Sequence, residues 1–183
     1  MNERRVAVLG SARLGQDDPA WSVAEELGRR LAEAGCTVGS GGYGGLMAAV
    51  ARSAREAGGH VVGLPMTAWK HLEPNEWNVE LIWADGYPER LGELLACDAV
   101  VALDGGVGTL SELAVAWSAA QTESDAPMLV AVGERWRRLL DALAEELVAS
   151  PQDVGLVHVV PSPAAAVELI VRPPERPAVR AGG

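Results

Sequence analysis

Residues 99–112 read Ala99-Val100-Val101-Ala102-Leu103-Asp104-Gly105-Gly106-Val107-Gly108-Thr109-Leu110-Ser111-Glu112, an apolar run that passes through a glycine-rich turn to a threonine and a carboxylate. Residues 99–103 have the character of a strand buried on both faces of a parallel sheet. Thr109 opens a helical pattern that runs to about Gln121. Gly105, Gly106 and Gly108 leave main-chain N–H groups uncovered, and a helix start adds unpaired donors and a positive dipole end, so an anion is favoured there on two counts. Thr109 and Glu112 also have the T-x-x-E spacing of a capping box, in which both side chains would only satisfy local N–H groups. Such a box needs no glycines before it, so a phosphate seat with an acid beside it accounts for more of the stretch.

Outward from this junction, strand-like runs alternate with longer helical patterns. Runs at 6–9, 37–38, 60–64, 79–83, 99–103, 127–132 and 157–160 read as strands; patterns at 21–34, 46–57, 89–96, 109–121, 134–148 and 164–171 read as helices. This alternation predicts an α/β, Rossmann-like, doubly wound domain with a mostly parallel sheet over residues 1–172, followed by a Pro/Gly-rich flexible tail at 173–183. Trp136, Leu139, Leu140, Leu143 and Leu147 have the spacing of one buried helical stripe, which leaves Arg135, Arg137 and Arg138 on a solvated face. In such sheets ligands bind beyond the carboxyl ends of the strands, where strand order reverses. Three loops fall on that edge: Gly10-Ser11-Ala12, residues 39–45 and residues 105–109.

The chain has 183 residues and a formal net charge of −10, which suits one domain and argues against binding nucleic acid polymers or anionic membranes. A phosphorylated small molecule remains compatible, because backbone amides act at contact while distant charges are screened beyond about 8 Å at physiological salt. Cys36 and Cys97 lack C-x-x-C spacing and read as buried reduced thiols; His60, His71 and His158 are scattered, so no metal site is expected. Lys70, the only lysine against fourteen arginines, lies in the irregular stretch 66–78, which disfavours a pyridoxal-phosphate Schiff base; no cofactor is expected. No apolar segment reaches the ~20 residues of a membrane span, and the chain is expected to be cytoplasmic.

Gly39, Gly41 and Gly44 satisfy G-x-G-x-x-G, but they follow the second strand, and the position about 20 residues on holds Gly59-His60-Val61 with no acid, which disfavours hydride transfer with a dinucleotide. No P-loop sequence occurs. What remains is a mononucleotide or sugar phosphate held by two glycine loops, with Glu112 within reach of the sugar. Cleavage of an N-glycosidic bond makes the sugar oxocarbenium-like, a charge that a carboxylate stabilises. The helix dipole is expected to keep Glu112 ionised, favouring electrostatic or base work over general-acid work.

Two segments together resemble the LONELY GUY family, also called the lysine-decarboxylase-like family. Ser40-Gly41-Gly42-Tyr43-Gly44-Gly45-Leu46-Met47 is similar to its GGGxxGLM segment, and residues 104–112 are similar to PGGxGTxxE. Gly10-Ser11-Ala12 stands where the family has a Gly-Ser-Ser turn, and the likeness covers roughly residues 5–132. The resemblance implies hydrolysis of nucleoside 5′-monophosphates, cytokinin ribotides among them, to free base and ribose 5-phosphate by a homodimer. It implies that Gly105, Gly106, Gly108 and Thr109 hold the phosphate, that Gly10, Ser11, Gly41, Gly42, Gly45 and Met47 line the nucleotide cleft, and that Glu112 is the catalytic carboxylate. The family's arginine corresponds to Arg90, although counting back from Cys97-Asp98-Ala99 the expected place holds Glu89. One residue turns a helical side chain by about 100°, and a surface arginine is the competing assignment. Asp104 departs from the family's proline and sets a negative charge beside the phosphate seat. Trp69, Trp77 and Trp83 are read as packing residues in preference to base-stacking ones, and the helix bearing Leu113 and Trp117 is placed by analogy at a dimer interface. A non-catalytic carrier or sensor of a nucleotide or of molybdenum cofactor is the alternative function, kept open by Asp104 and the register of Arg90.

Overall fold

The computed structural model describes residues 4–174. Seven strands form one parallel sheet in the order β4-β3-β2-β1-β5-β6-β7. They are β1 (Arg5–Leu9), β2 (Thr37–Ser40), β3 (Val61–Gly63), β4 (Glu80–Leu81), β5 (Ala99–Ala102), β6 (Met128–Val132) and β7 (Val157–Val160). Between them run α1 (Pro19–Glu33), α2 (Leu46–Glu56), α3 (Tyr87–Leu95), α4 (Val107–Thr122), α5 (Glu134–Glu146) and α6 (Pro151–Val154), and α7 (Pro163–Val171) follows β7. The chain is therefore an α/β, Rossmann-like domain, as its alternating pattern predicts.

Period-two alternation divides the core. Val6, Val8, Ala99 and Val101 pack on one face with α1, α2 and α7; Ala7, Leu9, Val100 and Ala102 pack on the other with α3, α4 and α5. Burial of both faces explains why β1 and β5 read as continuous apolar runs. Strand order reverses between β1 and β5, which pair directly. Here the main chain closes the sheet edge: Ser11 N–H donates to the Asp104 carbonyl at 3.0 Å, and Leu46 N–H donates to the Ser11 carbonyl at 2.8 Å. All three glycine-bearing loops meet at this point.

Several elements differ from their sequence patterns. Gly39 lies inside β2, leaving the loop to begin at Gly41. The run at 79–83 supplies only the two-residue edge strand β4. Leu147 is the C-cap of α5 and is exposed, because the helix stops before its last expected turn; within α5 only Trp136 and Leu140 are fully buried. The short helix α6 escapes an apolar pattern and is held by a capping box, Ser150 with Asp153. Most of the tail expected at 173–183 lies outside the described residues. Among those described, no helix is long and apolar enough to cross a membrane.

α1 and α2 meet at Gly28, where an added Cβ would collide with the Val50 carbonyl and Ser53 Oγ. Because the first obstacle is backbone, Gly28→Ala should destabilise the fold by about 1–3 kcal/mol, measurable as a lowered denaturant midpoint with an unchanged m-value.

Candidate functional site

α4 begins at Val107 with Gly106 as its N-cap, so Thr109 is the third helical residue and Gly108 is already inside the helix. No side chain caps this end. The T-x-x-E pair is thus no capping box, and the first-turn N–H groups of α4 face the exposed segment 105–108. Thr109 is buried, and its side chain leaves no room for a Cβ at Gly105. That contact folds the loop back over the helix start. Thr109, Glu112, Leu113 and Ala116 form the inward stripe of α4, which carries Glu112 under the loop.

Arg90 comes to the same place from α3. Gly86 is the N-cap of that helix and Pro88 stands in its first turn, setting a register in which Arg90 turns inward. Arg90 is 5% exposed and Glu112 is 8% exposed. Arg90 Nε–H and Nη2–H each donate to Glu112 Oε1 at 3.2 Å, and Nη1–H donates to the Leu64 carbonyl. Glu89, the residue at the position the family alignment implies, instead accepts from Asp85 N–H at 2.6 Å near the surface. Arg90 is therefore not a surface arginine, although it stands one residue nearer β5 than the family spacing implies.

Three of the five guanidinium N–H groups are engaged, which leaves two for a ligand. Glu112 Oε2 accepts no hydrogen bond from the described residues. Burial raises the Glu112 pKa, and the charge and hydrogen bonds of Arg90 only partly oppose that rise. The dipole does not set the direction of this shift: Glu112 lies beyond the first turn of α4, where the dipole effect fades, and desolvation is the largest cause.

The glycine loop forms the other wall. Gly42 and Gly45 have φ of +79° and +64°, which favour glycine. A Cβ at Gly41 would stand 2.5 Å from Arg90 Nη2 and 2.7 Å from Met47 Sδ, so a larger residue there would displace one or both side chains. Gly45 packs on the backbone of Ser11 and Ala12, bringing the Gly10 turn against the start of α2. These contacts bring the loops that carry Gly10, Ser11, Gly41, Gly42, Gly45, Met47, Gly105, Gly106, Gly108 and Thr109 together with Arg90 and Glu112 at the carboxyl ends of β1, β2 and β5, where strand order reverses and a ligand crevice is expected. Asp104 turns away from it: its carboxylate pairs with Arg135 at 3.4 Å on the start of α5.

Sequence patterning does not identify the strap that closes this wall. The Gly42 carbonyl accepts from Asn75 N–H at 2.8 Å and from the side-chain amides of Asn75 and Asn78 at 3.0 Å each. Met66 N–H donates to the Tyr43 hydroxyl at 2.8 Å. Residues 66–78 are thereby tied to the glycine loop. Asparagines in an irregular stretch read as ordinary turn residues, and no spacing marks them. Leu113 and Trp117, on the helix expected at a dimer interface, face inward. They pack in the chain's own core, with Trp117 Nε1–H donating to the Asp153 carbonyl, and Val107, Ala114 and Val115 form the outer surface of α4.

The chain resembles known proteins over this same region. It is 35% identical over 113 residues to the cytokinin riboside 5′-monophosphate phosphoribohydrolase LOG of Oryza sativa subsp. japonica, covering 60% of this chain and 47% of that one. It is 40% identical over 100 residues to the cytokinin riboside 5′-monophosphate phosphoribohydrolase of Mycobacterium tuberculosis, covering 52% and 53%. The matched segment thus spans about half the length of each. In fold it is similar to the molybdenum cofactor binding protein of Rippkaea orientalis, with a TM-score of 0.73 at 23% identity over 93% of this chain and 96% of that one. The model of the SLOG cluster4 family matches residues 3–124, which include every loop and side chain of the crevice, and the chain belongs to that family.

Proposed function

We propose that this chain is a phosphoribohydrolase, cleaving the N-glycosidic bond of a nucleoside 5′-monophosphate to give free base and ribose 5-phosphate. The observation that carries this is the buried Arg90–Glu112 pair set beneath the uncapped start of α4. The phosphate would take the N–H groups of residues 105–109, leaving the ribose above Glu112. As the bond from C1′ to the base nitrogen breaks, positive charge grows on the ribose and Glu112 stabilises it. The same carboxylate, made more basic by burial, accepts a proton from water; the hydroxyl adds to C1′ and the proton leaves on the base nitrogen. Arg90 holds Oε1, so Oε2 is the oxygen that works. The names of the relatives support this reaction class, and cytokinin ribotides and AMP are the substrates to try first.

Glu112→Gln should abolish base release, seen by chromatography of a purine, pyrimidine and N6-modified nucleotide panel, while nucleotide binding by calorimetry stays within about threefold of wild type. Intact nucleotides with tight binding of an anionic ligand would favour the carrier function instead.

A raised pKa means that Glu112 holds its proton to a higher pH than an ordinary carboxylate. If ionised Glu112 is the working form, activity is lost as pH falls through that raised value. The acidic limb of kcat/KM should therefore lie above the usual carboxylate range, and Arg90→Ala, which removes the opposing charge, should move it further upward.

The outer face of α4, with Val107, Ala114 and Val115 exposed, is proposed to pair with a second copy of the chain. Light scattering should report a dimer, and Val115→Glu a monomer with unchanged far-UV dichroism.

A further inference from the structure

We infer that Trp69 is a positioning residue that fixes the plane of the Arg90 guanidinium, and that it is not a platform for the substrate base. Both Arg90 donors to Glu112 converge on the single oxygen Oε1. A fork that meets both carboxylate oxygens is held in one plane, whereas donors sharing one oxygen leave the guanidinium free to tilt. The bond to the Leu64 carbonyl restrains one edge. The remaining control is a face contact: Arg90 Cζ lies 5.8 Å from the centroid of the Trp69 ring, within the range of a cation–π interaction.

The indole is itself held in place. Its centroid is 5.8 Å from that of Tyr43 at 43°, and 6.4 Å from that of Tyr87 at 63°. Tyr43 belongs to the glycine loop and Tyr87 begins the helix that carries Arg90. The Trp69 backbone N–H donates to the Met66 carbonyl at 3.0 Å, and Met66 is bridged to Ala84 beside the sheet edge. Trp69 therefore links the glycine loop, the strapped stretch 66–78 and the start of α3. An indole engaged by a cation and two tyrosines has little freedom to swing onto a base. With the plane fixed, the directions of the two uncommitted Arg90 N–H groups are fixed as well, which is what recognition of a substrate oxygen requires.

The test compares Trp69→Phe, which keeps an aromatic face, with Trp69→Leu, which keeps apolar bulk without one, and Trp69→Ala. In the ligand-free protein, the Arg90 Nε–H signal is assigned in nitrogen-15 spectra by its loss in Arg90→Lys. Its hydrogen exchange should quicken about tenfold in Trp69→Leu and Trp69→Ala and stay within about twofold in Trp69→Phe. On the reading that the chain is a phosphoribohydrolase, kcat should fall about tenfold in Trp69→Leu with KM held, and Trp69→Phe should restore it. Unchanged exchange in Trp69→Leu would overturn the assignment, because packing alone would then suffice. A raised KM at constant kcat would also overturn it, in favour of base stacking. A wild-type protein inert toward every nucleotide would remove the hydrolase, and the exchange rates would still decide the role of Trp69.

Discussion

A guanidinium and a carboxylate that are both more than nine-tenths buried must neutralise each other, since either one alone would cost several kcal/mol. The Arg90–Glu112 pair imposes this constraint on everything around it. It fixes the distance between α3 and α4 and requires a carbonyl, that of Leu64, to serve one edge of the guanidinium. A glycine at 41 leaves Nη2 its place, since a Cβ there would push it aside. Replacing such a pair with apolar residues often preserves or improves stability. Its presence where strand order reverses is the observation on which the proposed chemistry rests.

The crevice is built from backbone as much as from side chains. Ser11 bridges the Asp104 carbonyl and Leu46 N–H, so the turns after β1, β2 and β5 form one hydrogen-bonded rim. Three donors on the Gly42 carbonyl then tie residues 66–78 to that rim. Such a site is largely preformed, and preorganised dipoles stabilise developing charge without reorganising during the reaction. The rim would also let a chain of net charge −10 hold the proposed phosphate. Its donors are main-chain N–H groups at contact, and Asp104 is drawn aside by Arg135.

The sheet was legible because β1 and β5 are buried on both faces and therefore apolar throughout, whereas the edge strand β4 was read too long because exposed residues pair only briefly with β3. The first glycine motif was legible because Gly42 and Gly45 have φ above zero and Gly45 packs on the Ser11 and Ala12 backbone, and in the second the Thr109 side chain fills the space of a Cβ at Gly105. Element ends were less so: α4 starts two residues before Thr109, and α5 ends before Leu147, because caps depend on main-chain geometry that the apolar pattern does not record.

From the chain alone came the doubly wound fold, the three glycine-bearing loops, and Glu112 and Thr109 as neighbours on one helix face. These follow from periodicity and from the conformational demands of glycine, which are local properties. Tertiary structure decided whether Arg90 or Glu89 faces Glu112, where the Asp104 carboxylate points, and that desolvation outweighs the helix dipole at Glu112. It also decided what Trp69 touches. Each of these depends on which distant segments share a space, and on how much water that space excludes, which no spacing along the sequence encodes.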